Sequence, residues 1–302
     1  MGPIDLTGIL MAMVLSPALL SLIQRTKAFF GGRKGPPILQ PYHDLLKSFQ
    51  KGTVYSNVSS PLLKAAPWGV AAAHLLVLPF VPFAGGAAPA AFSGDFLLAA
   101  FLFAMARFLM ILGALDTGSS FEGMGASREA HFSALAEPVF FLSFCALARL
   151  SESASLSGMT AGLGTAAWKS SGPALCLVGV ALFVLLLSEN ARVPVDDPNT
   201  HLELTMIHEV MILDAGGPDL ALYQYASGLR LWIYAALWTA LLMPWRLPGA
   251  PGWLLHAGEM ALAAVAVGVV ESSMARLRLV KVPTLLIGAG VLSVTALILA
   301  MR

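Results

Sequence analysis

Seven ionisable residues lie within or at the ends of long apolar stretches of this chain, where a charge is costly to keep. They are Arg107, Asp116, Glu137, Glu189, Arg230, Glu259 and Glu271. An ion at the centre of a membrane-spanning helix costs about 2.5–3.5 kcal/mol even on the gentler insertion scales. Buried carboxylates can exchange protons near neutral pH, which a relay requires. The set therefore predicts a proton relay, in which Arg107 and Arg230 tune the acids by proximity. The alternative is that each residue is a structural ion-pair partner.

The elements that must position these residues are apolar stretches, each about as long as a membrane-spanning helix. Hydrophobic residues make up 57% of the 302 residues and charged residues 12%, and the mean hydropathy is +0.78. A hydrocarbon core of about 30 Å needs roughly 20 apolar residues per span. The predicted spans are approximately 4–23, 62–84, 96–115, 132–150, 173–189, 229–246, 253–271 and 283–301. The pattern predicts an all-α integral membrane protein of about eight transmembrane helices, with residues 1–302 forming a single polytopic domain.

The basic residues predict the orientation in the membrane. Most lie on one side of the predicted spans: Arg25, Lys27, Arg33, Lys34, Lys47, Lys51, Lys64, Arg128, Arg192, Arg276, Arg278 and Lys281. The other side carries Arg149, Lys169, Arg246 and Arg302. Because Lys and Arg are retained on the cytoplasmic side, both termini are expected to face outward. The net charge of +1 gives no indication of nucleic-acid binding.

The connections expected on the cytoplasmic side are long and chemically dense. Residues 24–61 are basic and rich in Gly and Pro, and residues 116–131 are a polar connection. Residues 190–228 hold six acids: Asp196, Asp197, Glu203, Glu209, Asp214 and Asp219. These acids predict a funnel that collects protons, although a solvated loop surface is an equal alternative. A short helix is expected from Asp197 as N-cap and Pro198 to an end at Gly216-Gly217-Pro218.

Metal and cofactor motifs are weak or incomplete. Cys145 and Cys176 stand alone in separate spans, so the chain cannot ligate an iron–sulfur cluster by itself, and both are expected to be packing residues. A zinc motif around His208 fails because Ile212 stands where the second histidine of His-Glu-x-x-His would be. His74 is the only histidine at mid-span, which argues against haem and for a hydrogen-bonded packing role. No metal and no cofactor are expected in this chain.

Four blocks, in order along the chain, carry a family resemblance. LDTGSSFEGMGASREA at 115–130, followed by Glu137-Pro138, resembles the membrane subunit of formate hydrogenlyase and energy-converting nickel–iron hydrogenases, relatives of the H-type (subunit 1) component of respiratory complex I. The segment after Glu271, through Arg276 and Arg278, resembles the same family, as does Glu189 with Pro194 and Asp196. The first connection on the expected cytoplasmic side is similar to that of the same family in eight residues: Arg33, Lys34, Gly35, Pro36, Gln40, Tyr42, Asp44 and Lys47.

The resemblance implies a cofactor-free, eight-helix subunit of the cell inner membrane that joins a redox arm to ion-translocating subunits. Nickel–iron and iron–sulfur centres would reside in partners: hydrogenase large- and small-type subunits, iron–sulfur subunits and antiporter-like membrane subunits. The resemblance implies a proton path made of acids from the matching blocks and from the acidic loop. The matching blocks hold Asp116, Glu122, Glu129, Glu137, Glu189, Asp196 and Glu271, and the acidic loop holds Asp197, Glu203 and Glu209. Arg128 joins Arg107 and Arg230 as a charge-tuning residue. The first-loop residues, with Arg276 and Arg278, would dock partners.

The chain also departs from the family pattern. Its acidic loop reads DDPNTHLELTMIHEVMILDAGGPD instead of the usual closely spaced glutamates, which argues against quinone binding. Ser120 stands where a proline is usual. Three other functions stay open: the quinone-site subunit of a true complex I, a free-standing ion or solute transporter, and a pure scaffold. The absence of a convincing internal repeat and the one-sided loops disfavour the transporter.

Overall fold

A computed structural model describes residues 6–57, 59–197, 206–247 and 249–301. Within these ranges the regular structure is entirely helical, which confirms the predicted all-α class. The helices are α1 (Thr7–Phe30), α2 (Gln40–Phe49), α3 (Pro61–Val77), α4 (Asp95–Asp116), α5 (Ser120–Ser151), α6 (Leu156–Gly162), α7 (Thr165–Glu189), α8 (Gly217–Leu242), α9 (Ala250–Ser273) and α10 (Val282–Ala300). Short 3-10 turns follow α3 and precede α8 and α10.

Seven helices in the described part of the chain are long and apolar enough to cross a membrane. They are α1, α3, α4, α5, α7, α9 and α10, and they make the chain a multi-pass membrane protein. The remaining predicted span, 229–246, falls in α8, which is 26 residues long but more polar. Because α8 packs against α1, α2, α3, α7 and α9, it lies in the centre of the bundle and does not need a fully apolar surface.

The two longest connections between spanning helices, 31–60 and 190–216, lie at one end of the bundle, called here the loop-rich end. There α1, α4, α7 and α9 finish and α3, α5, α8 and α10 begin. Lys27 near the end of α1 contacts Glu271 near the end of α9, which places both helix ends together. At the opposite end, the Asp95 carboxylate accepts the Leu156 backbone N–H at 2.7 Å. The helices therefore run in alternating directions through the bundle.

The predicted connection at 116–131 is wrong in its secondary structure. Helix α5 begins at Ser120, twelve residues before the predicted span, and is 32 residues long. Its added turns bury one face against the segment that precedes α8. Gly125 permits this close approach, because a Cβ there would collide with Val210 and lie 3.0 Å from the Ile207 carbonyl. Tertiary packing thus extends the helix through a polar sequence.

The expected helix end at Gly216-Gly217-Pro218 is also wrong. Gly216 is the N-cap of α8, and Pro218 lies in its first turn, where a missing N–H does no harm. The short helix expected from Asp197 lies partly outside the described residues. Its described part is a single 3-10 turn, Glu209–Ile212. Cys145 and Cys176, expected to be small apolar packing residues, are exposed on α5 and α7.

Candidate functional site

Arg107 of α4 lies at the centre of a buried ion cluster. Its guanidinium contacts three carboxylates: Nε lies 3.6 Å from Glu129, Nη1 3.3 Å from Glu137 and Nη2 3.5 Å from Glu189. Glu129 and Glu137 come from α5, and Glu189 is the last residue of α7. Three helices that are distant in sequence thus bring their charges together. These four residues are called the Arg107 cluster below.

Two residues of α8 border the Arg107 cluster. Tyr234 lies close enough to Glu189 for the charge of that carboxylate to act on the Tyr234 hydroxyl. Arg230 is close enough for its charge to act on Glu189 and Glu129. The Nε atom of Arg230 is buried and has no hydrogen-bond partner among the described residues. Arg107 and Arg230 therefore bring two positive charges to three carboxylates.

His208, in the segment before α8, contacts the cluster from the loop-rich end. Its Nε2 lies 3.3 Å from Glu129, and neither ring nitrogen hydrogen-bonds to a described residue. Burial, and next the positive charge of Arg230, lower the pKa of His208 to about 3. The imidazole is therefore neutral at physiological pH, so the contact with Glu129 is not an ion pair.

Glu137 is the exposed edge of the Arg107 cluster. Its side chain is 47% exposed, whereas those of Arg107 and Glu189 are each 8% exposed. A cavity of about 70 Å³ bordered by α4, α5, α7 and α8 reaches Arg107, Glu137 and Glu189, and most of its other lining side chains are apolar. The buried charges thus connect to the lateral surface of the bundle at one carboxylate.

A larger cavity, of about 370 Å³, lies on the other side of His208 and Arg230. Its polar lining comes from six elements: Gln24, Lys27, Asp44, His74, Asn190, Arg192, Glu209, Gln224, Ser227 and Glu271. His74 is buried and its Nδ1 lies 2.8 Å from the Val70 carbonyl, as expected for a hydrogen-bonded packing residue. The cavity is thus lined both by residues that border the Arg107 cluster, His208 and Arg230, and by residues of the loop-rich end, such as Lys27 and Glu271.

Glu271 forms a second ion cluster beside this cavity. Its fully buried carboxylate lies 2.9 Å from Lys27 Nζ and 3.5 Å from Arg192 Nη1. Arg192 belongs to the segment 190–196 that follows α7, which is buried throughout. Irregular backbone at membrane depth is tolerated when protein surrounds it. The two cations hold α1, α9 and this segment together.

The Asp196 carboxylate connects separate segments of the chain at the loop-rich end. One oxygen accepts the Ile207 backbone N–H at 3.0 Å, and the other lies 2.8 Å from Arg276 Nη2. The neighbouring Pro194 carbonyl accepts the Leu277 N–H at 2.9 Å. Asp196 and Arg276, predicted for a proton path and for docking, are thus joined to each other.

Two predicted path acids cap backbone groups away from Arg107. Asp116 accepts the N–H groups of Ser60 at 2.8 Å and Leu63 at 3.3 Å, at the start of α3. Glu122 is buried and accepts the Asp214 N–H at 2.9 Å. A carboxylate that accepts N–H groups at a helix start stabilises that start, as Asp116 does for α3. Glu122 instead holds the backbone shortly before α8. Both acids therefore have a structural explanation.

The other predicted residues are dispersed around the loop-rich end. Arg128 donates to the Met206 carbonyl at 2.7 Å. Asp197 donates its backbone N–H to Asp196, and Glu209 lines the larger cavity. Glu203 lies outside the described residues.

The predicted docking residues form two groups. Arg33, Lys34 and Arg278 are exposed, and Gly35 and Pro36 pack the loop against Arg25 of α1. A Cβ at Gly35 would lie 2.9 Å from the Arg25 Cα, so the loop needs glycine there. In α2, Gln40 donates to Asp44 at 2.8 Å, Lys47 is exposed, and Tyr42 donates to a carbonyl of α1.

Four residues of these clusters were not expected as site residues from the sequence: Lys27, Arg192, His208 and Tyr234. In the sequence, Lys27 and Arg192 indicate only orientation in the membrane, and His208 belongs only to an incomplete zinc motif. Their partners are far away along the chain, so no local pattern identifies them. Among the residues the structure describes, no three His, Cys, Asp or Glu side chains are grouped so that they could hold a metal ion.

The fold and the buried ion clusters define a multi-pass membrane protein that keeps charge in its interior. The chain belongs to the NADH dehydrogenase family, of the complex I subunit 1 type, whose match extends over residues 4–301. It is 28% identical over 280 residues to Escherichia coli formate hydrogenlyase subunit 4, covering 89% of each protein. It is 30% identical over 234 residues to Escherichia coli hydrogenase-4 component C, covering 77% of this chain and 72% of that protein.

A solved structure shares the whole fold. It is a chain of the membrane-bound sulfane sulfur reductase, an archaeal respiratory membrane complex, with a TM-score of 0.83 and 18% identity. The likeness covers 96% of this chain and 97% of that one. The family resemblance inferred from four sequence blocks is thereby confirmed, and the helical architecture with it.

Proposed function

We propose that this chain is the membrane-anchor and coupling subunit of an energy-converting hydrogenase-type complex. It links a peripheral redox arm, which binds at the loop-rich end, to proton or sodium translocation by neighbouring membrane subunits. The curated relatives are a component of hydrogenase-4 and a subunit of formate hydrogenlyase, which supports this class of assembly. The chain itself carries no redox step.

The observation that carries the proposal is the Arg107 cluster. One guanidinium contacts three carboxylates inside a membrane bundle, and one of those carboxylates, Glu137, is exposed at the lateral surface. With Arg230 counted, two positive charges face three negative ones, and His208 is neutral. A single proton bound to any of the three acids balances the charge. Such a cluster can take up and release one proton with little change in its surroundings.

The proposed proton route begins at the larger cavity and ends at Glu137. Glu209 and Glu271 border the cavity, and His208 and Arg230 lie between the cavity and Glu129. Protons pass from Glu129 and Glu189 to Glu137, and Arg107, which stays protonated, holds the three carboxylates close together. Asp116, Glu122 and Asp196, which hold backbone groups, serve the route by fixing the loops around it. From Glu137 the proton leaves to an antiporter-like membrane subunit.

The loop-rich end has a surface suited to a partner protein. Phe29, Val54 and Val280 are 80%, 91% and 87% exposed, and each stands in or next to a connection at this end. Exposed Arg33, Lys34 and Arg278 lie in the same connections. A surface of large apolar residues mixed with basic ones is more favourable when it is buried against another protein than when it is exposed to water. The proposed occupants are the hydrogenase large- and small-type and iron–sulfur subunits, which hold the nickel–iron and iron–sulfur centres.

The proposed location is the cell inner membrane, with the loop-rich end in the cytoplasm and both termini outside. The distribution of Lys and Arg supports this orientation, since most of these residues lie at the loop-rich end. A reporter fused to either terminus would test it, because an outward terminus supports alkaline phosphatase activity and a cytoplasmic one does not.

Replacing the cluster acids tests the proposal. Glu137→Gln and Glu189→Gln should abolish redox-linked proton translocation in the intact complex while subunit assembly is retained. Glu152→Gln is the matched control, because Glu152 is exposed at the opposite end of the bundle. Full coupling in both cluster variants would remove these acids from the route. Purification of the native complex tests the assembly itself, since nickel and iron–sulfur proteins should co-purify with the chain.

The cavity of about 370 Å³ favours a second candidate, the quinone-site subunit of a complex I-type enzyme. The altered acidic loop argues against it, as does the hydrogenase character of the curated relatives. Quinone-dependent turnover of the purified complex, blocked by inhibitors of quinone sites, would support this candidate. A complex without such turnover supports the hydrogenase-type role.

A further inference from the structure

The His208 side chain lies between the larger cavity and the Arg107 cluster. It lines the cavity of about 370 Å³, which Glu129 does not border. It also lines a small pocket on the other side, together with Glu129 and Glu189. Among the described residues that border either space, His208 is the one that both share. A proton that moves from the cavity to Glu129 therefore meets this ring.

Backbone contacts hold the segment that carries His208. The Asp196 carboxylate accepts the N–H groups of Ile207 at 3.0 Å and of His208 at 3.4 Å. The His208 carbonyl accepts the Met211 N–H at 3.1 Å. The backbone of His208 is thus fixed at the border of the two spaces, whereas its ring is held by no hydrogen bond to a described residue.

The two ring nitrogens of His208 point in different directions. Nε2 lies 3.3 Å from the Glu129 carboxylate. Nδ1 is on the other side of Cε1, so its in-plane direction diverges from that of Nε2 and leads away from Glu129. The buried His74 ring of the same cavity differs, because the Val70 carbonyl lies 2.8 Å from its Nδ1. The His208 ring can therefore exchange protons at both nitrogens and rotate without losing a hydrogen bond to a described residue.

Charged groups of several elements act on the His208 ring and keep its proton uptake brief. Burial, and next the positive charge of Arg230, lower the pKa of the imidazole to about 3. An imidazolium formed there near neutral pH gives up its proton at once, so the ring relays protons and does not store them. The charged groups are Arg107 of α4, Glu129 of α5, Glu189 of α7, Asp196 of the segment after α7 and Arg230 of α8.

We infer that His208 passes protons from water in the larger cavity to Glu129. A hydronium ion in the cavity gives a proton to Nδ1 and becomes water, and the Nε2–H bond breaks as its proton bonds to Glu129 Oε2. The ring is then neutral with its proton on Nδ1, and Glu129 is a carboxylic acid. Rotation about the Cβ–Cγ bond brings Nε2 to the cavity, where water takes the Nδ1 proton and returns one to Nε2. The inference rests on the proposed function, because it supplies one step of that proton route.

Chemical rescue in the intact complex tests the inference. His208→Ala removes the ring, so redox-linked proton translocation should fall by about a hundredfold, the lower end of what a positioned proton-transfer group contributes. Imidazole added to the medium should restore translocation in a saturable manner, because the cavity of about 370 Å³ has room for that molecule. His131→Ala is the matched control. His131 is exposed on α5, so this variant should translocate protons at the wild-type rate and should not respond to imidazole.

The outcomes separate this inference from the proposed function. A wild-type complex that translocates no protons would contradict the proposed function itself. When the wild-type complex translocates protons, full translocation in His208→Ala would overturn the His208 step alone. A loss that imidazole does not restore would also overturn it, because His208 would then only position its neighbours.

His208→Gln keeps the inference testable when the alanine variant does not assemble with its partner subunits. The glutamine amide keeps a donor and an acceptor but binds no proton near neutral pH. Loss of translocation in an assembled His208→Gln complex supports the proton transfer by His208. Full translocation in that complex contradicts it.

Discussion

The Arg107 guanidinium and the Glu189 carboxylate are 3.5 Å apart, with each side chain 8% exposed. Arg107 lies within α4, whereas Glu189 is the last residue of α7. Helix α7 therefore ends at the depth of a mid-helix residue of α4. The buried segment that follows α7 fills the space toward the loop-rich end. The charge pair thus joins the end of one spanning helix to the middle of another inside the bundle.

Removal of Arg107 should be strongly destabilising. Arg107→Met leaves Glu129, Glu137 and Glu189 without their shared cation, and breaking a buried pair costs about 3–5 kcal/mol. The double variant Arg107→Met/Glu189→Gln should be less destabilised than Arg107→Met alone, because one uncompensated carboxylate is gone. Thermal denaturation in detergent measures both effects. Arg149→Met is the control, since Arg149 is exposed. Additive effects of the two cluster substitutions would contradict the interaction.

His208 should make stability fall at mildly acidic pH. Its pKa is lowered from 6.5 to about 3 in the folded protein, chiefly by burial. The unfolded chain therefore binds a proton that the folded chain does not bind. Above pH 6.5 this imidazole does not lower the free energy of unfolding. Below pH 6.5 the free energy of unfolding falls by about 1.4 kcal/mol for each pH unit, until the pH reaches about 3. In His208→Gln the decline should be shallower between pH 6.5 and 5. Identical pH profiles would show that the imidazole titrates normally.

Asp116 should matter for folding and not for proton transfer. Asp116→Ala removes the acceptor for the Ser60 and Leu63 N–H groups at the start of α3, and loss of a helix cap costs about 0.5–2 kcal/mol. Asp116→Asn keeps an oxygen acceptor without the charge, so it should retain most of the stability and full proton translocation. Loss of translocation in a stable Asp116→Asn complex would return this acid to the proton path.

The sequence was sufficient to predict the presence of seven of the spans and several of the charged residues that meet inside the bundle. Arg107, Glu137 and Glu189 stood out because ions are rare in apolar stretches, and the structure brings these three together. The long-range geometry was out of reach. Periodicity does not reveal that the polar residues 120–131 continue α5, because the surface that stabilises them is the distant segment at 206–212. Gly216-Gly217-Pro218 is compatible with a helix end or a helix start, and tertiary packing decides between them.

The three residues Lys27, Arg192 and Glu271 should show strongly non-additive energetics. The Glu271 carboxylate is fully buried between two cations, at 2.9 Å from Lys27 and 3.5 Å from Arg192. Lys27→Met or Arg192→Met alone leaves one cation, so each single variant should cost well below the penalty for an unpaired buried charge. Lys27→Met/Arg192→Met leaves the carboxylate uncompensated and should cost about 3–5 kcal/mol. The triple variant with Glu271→Gln should recover much of that loss, since no buried ion remains. Denaturation in detergent across this set measures the coupling, and a double variant equal to the sum of its singles would show that the cations act independently.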